Sequence, residues 1–130
     1  MKTLRLGHLV LTVAGLNKTC DFYSRVLGMK TISFLSGEIQ RRALFFGNQK
    51  INLHLVGVEF DPKATNPKPG SADLCLIVDQ SMDQVITMLQ ANDVAVEEGP
   101  VQHTGATGPI QSVYFRDPDG NLIEASDYST

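Results

Sequence analysis

The stretch His8-Leu9-Val10-Leu11-Thr12-Val13 has a counterpart 65 residues further on (73 − 8), Asp73-Leu74-Cys75-Leu76-Ile77-Val78. Side chains alternate between the two faces of a strand, so Leu9, Leu11 and Val13 share one face, as do Leu74, Leu76 and Val78. The opposite face carries His8, Val10 and Thr12 in one copy and Asp73, Cys75 and Ile77 in the other. Each copy therefore offers an aliphatic face to a core and begins its other face with an ionisable group. A helical pattern follows each strand. Leu16, Cys20, Tyr23 and Leu27 recur at spacings of three and four, with Phe22 and Val26 alongside, and Gly28 suits the residue that ends a helix. Met82, Val85, Ile86 and Leu89 repeat the pattern, with Ser81 and Asp83 as candidate caps. Further strands are predicted over 30–35, 41–46 and 51–56, then over 94–97, 111–115 and 121–126.

The order is βαβββ used twice, an α+β chain of one domain. Module 1 covers about residues 1–58, a connector 57–70, and module 2 residues 71–130. The connector contains three prolines and is expected to be an ordered surface crossing or hinge. Residues 99–110 read as a second irregular stretch, with an ordinary long hairpin as the alternative. His103 lies there, a solvated loop histidine or a substrate contact. Asp117-Pro118-Asp119-Gly120 is a turn: Pro118 presets φ, Asp117 can bond its own backbone, and Gly120 accepts positive φ. Glu124 lies in the strand beyond, between apolar neighbours, where a carboxylate is costly unless it is paired or bound to a cation.

Composition narrows the function. The 130 residues carry a net charge of −3, with 42% hydrophobic and 19% charged residues, an ordinary globular balance. With no basic stripe, six Phe, three Tyr and no Trp, nucleic acid is not an expected partner. No apolar run approaches the roughly 18 residues of a membrane span. The first residues imitate a signal peptide, but Gly7 and His8 interrupt the apolar run, so a cytoplasmic protein is expected. Cys20 and Cys75 are too few for a disulfide framework and read as reduced packing residues. Gly105-Ala106-Thr107-Gly108 lacks the Gly-Lys-Ser/Thr that opens a phosphate-binding helix.

The segments GHLVLTV, FYSRVLGM and YFRDPDGNLIE together resemble the vicinal oxygen chelate superfamily, which includes glyoxalase I, fosfomycin- and bleomycin-resistance proteins and extradiol dioxygenases. The resemblance spans nearly the whole chain and is nearest to small glyoxalase-domain proteins, a bacterial virulence-associated group among them. It implies two βαβββ modules forming a curved mixed sheet around a cavity. It also implies a divalent metal (Ni, Zn, Mn, Fe or Co) that holds two neighbouring oxygens of a small-molecule substrate, a thiol conjugate included. The family's first-strand ligand matches His8 and its last-strand glutamate matches Glu124. Asp73 stands where the family usually has histidine, a departure that weakens a dioxygenase or standard glyoxalase site. The fourth-strand ligand falls on Asn52 by pseudo-symmetry. Imidazole is the better transition-metal donor, so His54 is chosen, at the cost of a one-pair shift.

Each residue also has a plainer reading. His8 suits a hydrogen-bonded core histidine, Glu124 an ion pair with Arg5 or Arg116, and Asp73 a loop cap. With metal, the resemblance implies a glyoxalase-like lyase, an isomerase or a thiol transferase. Glu124 or Asp73 would then be the base, and Tyr114 a hydrogen-bond donor to substrate. The alternative is a metal-free binding protein of the bleomycin-resistance type, and the third reading an extradiol dioxygenase. A homodimer is implied, with the site inside one chain or shared by two.

Overall fold

Burial along β1 (His8–Val13) follows the alternation: Leu11 and Val13 are buried while His8 and Val10 are exposed. The computed structural model describes residues 1–128. It divides into two compact units, Met1–Pro69 and Gly70–Thr130. Among the described residues no helix is long and apolar enough to cross a membrane.

In the first unit α1 (Leu16–Leu27) buries Thr19, Cys20, Phe22, Tyr23 and Val26. It ends at Gly28, whose φ of 67° is left-handed and whose N–H donates to the Ser24 carbonyl. β2 (Lys30–Ser36), β3 (Ile39–Phe46) and β4 (Gln49–Leu55) follow, and the sheet order is β1-β4-β3-β2. β4 lies parallel to β1 and antiparallel to β3. Leu11, Val13, Leu44, Ile51 and Leu53 are at most 4% exposed, so this core is built by one face of the sheet. The connector is ordered against the same unit: the Phe60 ring meets His54 edge-on at 5.3 Å, and the Arg41 guanidinium lies 3.3 Å from the Phe60 centroid.

The second unit repeats the scheme with β5 (Asp73–Ile77), α2 (Met82–Ala91), β6 (Glu98–Gly105), β7 (Gly108–Arg116) and β8 (Leu122–Asp127), in the order β5-β8-β7-β6. Ser81 is the N-cap of α2: its side chain accepts from the Gln84 N–H while the Gln84 side chain accepts from the Ser81 N–H. Met82, Val85 and Leu89 of α2 are buried, as are Val113, Phe115, Ile123 and Ala125 of the sheet. The α+β class and the doubled βαβββ order hold, with one four-stranded mixed sheet in each unit.

The sixth strand corrects the sequence reading. Residues 94–97 are not a strand, and most of the 99–110 stretch forms β6 and the start of β7, joined across Ala106 and Thr107. β6 is an edge strand, and an edge tolerates the Gly and Pro that made this segment look irregular. A bulge between Glu98 and Val101 accommodates Gly99, whose φ is 123°. A Cβ on Gly99 would meet the Ser112 carbonyl oxygen at 2.6 Å, so β6 approaches β7 this closely only with glycine there. The 117–120 turn is structural: Asp117 is 5% exposed and accepts hydrogen bonds from the N–H groups of Asp119 and Asn121 and from the Asn121 side chain.

Candidate functional site

Register alone brings the second unit's polar groups together. Glu124 on β8 lies opposite Cys75 on β5 and opposite Tyr114 on β7, and Ser126 lies opposite Ser112. Residues two apart on a strand share a face, so these five side chains cover one patch, away from the face that carries Val113 and Ile123. Ser112 donates to the Glu124 carboxylate at 2.6 Å and Ser126 donates to the same oxygen, Oε2, at 3.1 Å. The two serine hydroxyls are 2.7 Å apart, and the Cys75 thiol lies 3.4 Å from Ser126. Tyr114 extends the patch to His103, with hydroxyl and Nε2 3.0 Å apart.

The electrostatics follow from these contacts. Burial pushes the Glu124 carboxyl up, but hydrogen bonds from Ser112, Tyr114 and Ser126, with the field of His103, more than offset it, and the net shift is downward. Glu124 is thus a half-buried carboxylate kept ionised by hydroxyl groups. Tyr114 moves the other way: burial, then its hydrogen bond to Glu124 and that residue's charge, push its hydroxyl up to about 12. Burial is also the largest influence on the Cys75 thiol, which is raised.

Asp73 is exposed and pairs with Leu122, so it shares the face of Glu124 two residues along, roughly 7 Å at the backbone. Arg116 does not pair with Glu124. It is bound through two nitrogens to Glu97, at 3.0 and 2.8 Å. Cys20 is buried as expected, whereas Cys75 is exposed on the polar face and is not a packing residue.

In the first unit the register is His8↔Lys50, Val10↔Asn52 and Thr12↔His54. His8 and His54 are therefore four residues apart along the strand pair, roughly 13 Å. The one-pair shift that His54 would need does not occur. Asn52 occupies the place that Glu124 has in the second unit, and its Oδ1 is enclosed without a hydrogen-bond partner among the described residues. His54 is buried beside Phe60, its imidazole lowered by burial and then by the charge of Arg41. Among the described residues no three His, Cys, Asp or Glu side chains converge as a metal centre. The residues that sequence reasoning missed are Ser112, Ser126 and Cys75. Period-two alternation from Tyr114 and Glu124 would have found the two serines.

Two βαβββ units, each with a helix on one sheet face and a row of polar side chains on the other, define the class of protein. The chain belongs to the Glyoxalase/Bleomycin resistance protein/Dioxygenase superfamily, which matches residues 5–125. It is 51% identical over 124 residues to virulence protein STM3117 of Salmonella typhimurium, covering 95% of this chain and 84% of that protein. It is 54% identical over 123 residues to the glyoxalase domain-containing protein RDO1 of Mycosarcoma maydis, covering 95% of this chain and 68% of that one. An integron cassette protein from the mobile metagenome of V. cholerae superposes with a TM-score of 0.93 at 56% identity, over 99% of this chain and 98% of that chain. Members of the superfamily include lactoylglutathione lyases, dioxygenases, and antibiotic-binding and fosfomycin-resistance proteins. Members commonly use divalent metals, bind small molecules and often form dimers.

Proposed function

We propose that the chain is a metal-dependent, glyoxalase-like lyase or isomerase acting on a small oxygenated metabolite, thiol conjugates included, with Glu124 as its central group. One observation carries this reading: the Glu124 carboxylate is kept ionised with one oxygen held by Ser112 and Ser126. Outer hydrogen bonds of this kind orient a metal-ligating carboxylate and leave its other oxygen to act. Glu124, with Asp73 on the same face, would hold the ion, and two carboxylates are donors that suit a hard or borderline dication. His8 has in the first unit the register place of Asp73 and is the first unit's candidate donor. When bound, a divalent ion supplies polarisation of a substrate carbonyl and stabilises charge developing on oxygen. Glu124 would accept a proton at the oxygen that the two serines do not hold. Tyr114, which keeps its one hydroxyl proton at neutral pH, would turn that proton from Glu124 to a substrate oxygen, with His103 Nε2 3.0 Å from the same hydroxyl.

The test is a thermal-shift titration with Mn, Fe, Co, Ni and Zn of the natural chain, Glu124→Ala and His8→Ala. Turnover of the methylglyoxal–glutathione hemithioacetal is then measured in each metal form. The reading expects stabilisation that disappears in Glu124→Ala, and His8→Ala reports whether the first unit contributes a donor. No shift with any ion would favour a metal-free small-molecule binder.

A further inference from the structure

We infer that the first unit carries a separate binding site for a small apolar carboxylate, in the cavity between its sheet and the connector. The cavity has a volume of about 420 Å³ and is lined by Val10, Thr12 and His54 from the sheet and by Pro62, Lys63 and Pro67 from the connector. That volume falls in the roughly 300–1,000 Å³ range of small-molecule sites. No residue of the Glu124 patch lines it, so the inference goes beyond the metal-site reading and does not rest on it.

His54 points to a ligand. It is 9% exposed, and neither ring nitrogen has a hydrogen-bond partner among the described residues. The residue lines the cavity, and its nitrogens are not among the fully enclosed atoms, unlike Asn52 Oδ1. A buried polar group without a partner costs free energy that a bound acceptor or donor would recover. Burial and the charges of Arg41 and Lys63 outweigh that of Glu59 and lower the imidazole, which favours the neutral ring with one N–H donor and one acceptor.

The chemistry of the other walls selects the ligand. Among the described residues Lys63 has one ionic partner, Glu59, at 3.8 Å, which leaves ammonium donors for an anion. Thr12 adds a hydroxyl. Val10, Pro62 and Pro67 are apolar and would contact a hydrocarbon body. A phosphate dianion would need more donors than this lining supplies, whereas a monocarboxylate needs one cation and one or two hydrogen bonds. The arrangement therefore fits an aryl or alkyl carboxylic acid in its ionised form.

The probes are phenylacetate, its neutral amide phenylacetamide, and inorganic phosphate, each titrated into the full chain and followed by amide ¹H–¹⁵N spectra. Phenylacetate is expected to give saturable shifts at Thr12, His54 and Lys63. Phenylacetamide, and phenylacetate with Lys63→Gln, are expected to bind about tenfold more weakly. Lys63 has an exposed side chain, and the amide comparison needs no variant at all. Equal affinity for acid and amide, a preference for phosphate, shifts confined to residues 70–128, or no saturable shift at millimolar phenylacetate would each overturn the inference.

Discussion

The two sheets share a register and differ in what they present. His8, Val10, Thr12, Asn52 and His54 occupy in the first unit the places of Asp73, Cys75, Ile77, Glu124 and Ser126 in the second. In the second unit, small hydroxyl residues flank a carboxylate, and their hydrogen bonds keep it charged. The first unit has the neutral isostere Asn52 at that place, and its larger residues His54 and Arg41 pack on Phe60. One backbone plan thus yields an anionic patch in one unit and a cavity roofed by the unit's own connector in the other. The difference lies in few side chains, which makes it open to mutation.

The sharpest break is Glu124→Ala against Asn52→Ala. Losing a supporting partner of a metal ligand costs roughly 10–100-fold in affinity, so loss of Glu124 itself should cost more than about 100-fold. Asn52→Ala should leave the affinity for a divalent ion unchanged, since a neutral amide is the weaker donor. Isothermal titration with Mn or Ni checks both, and equal losses would show that the two units share the ligand role evenly.

Next is Ser112→Ala, which removes the shorter of the two hydroxyl contacts to Glu124, 2.6 Å long and fully buried. It should cost about 1–3 kcal/mol in urea unfolding, the penalty of a half-satisfied buried polar group. The pH dependence has a definite sign. The Glu124 carboxyl is lowered on folding, so its stabilisation is present above the unfolded carboxylate value and is lost as pH falls through the lower folded value. In Ser112→Ala the folded value moves up toward the unfolded one, so that loss should be smaller and end at a higher pH, measured as the urea midpoint between neutrality and pH 3.

Much of this was legible in the chain. Alternation in His8–Val13 and Asp73–Ile77 established both first strands and the polar face of each, and the spacing of Cys20, Tyr23 and Val26 marked a helix with one buried side. β6 was illegible because an edge strand is freed from the two-sided apolar pattern, so its Gly and Pro looked like loop. The choice of His54 set donor strength above register, and the parallel pairing with β1 puts it opposite Thr12, two residues past Asn52. Alternation puts Ser112 on the face of Tyr114 and Ser126 on the face of Glu124, but that the two serines meet on one carboxylate oxygen depends on the pairing of β7 with β8.

The first unit should respond to acid through His54. Its imidazole is lowered on folding, chiefly by burial and then by Arg41, so the folded unit favours the neutral ring. Stability should fall as pH drops from the ordinary imidazole value toward the lower folded one, because the unfolded chain binds the proton first. A smaller difference between urea midpoints at pH 7.5 and 5 in His54→Gln would assign that slope to this residue, and an unchanged difference would remove it from the account.

The smallest effect belongs to Tyr114 and appears only in alkali. Its hydroxyl is raised to about 12 by burial and by Glu124, so the folded chain keeps a proton that the unfolded chain has released. Stability is then complete below the unfolded tyrosine value and declines as pH climbs through the window up to about 12. Tyr114→Phe should flatten that decline and leave the neutral-pH midpoint little changed, because Ser112 and Ser126 still hold Glu124. Ala43 occupies the corresponding place opposite Asn52, so the first unit has no such group and cannot contribute to this slope from that position. Alkaline unfolding curves of the two chains therefore read the second unit's patch alone. Parallel curves would mean that Tyr114 and Glu124 are not coupled in the folded protein.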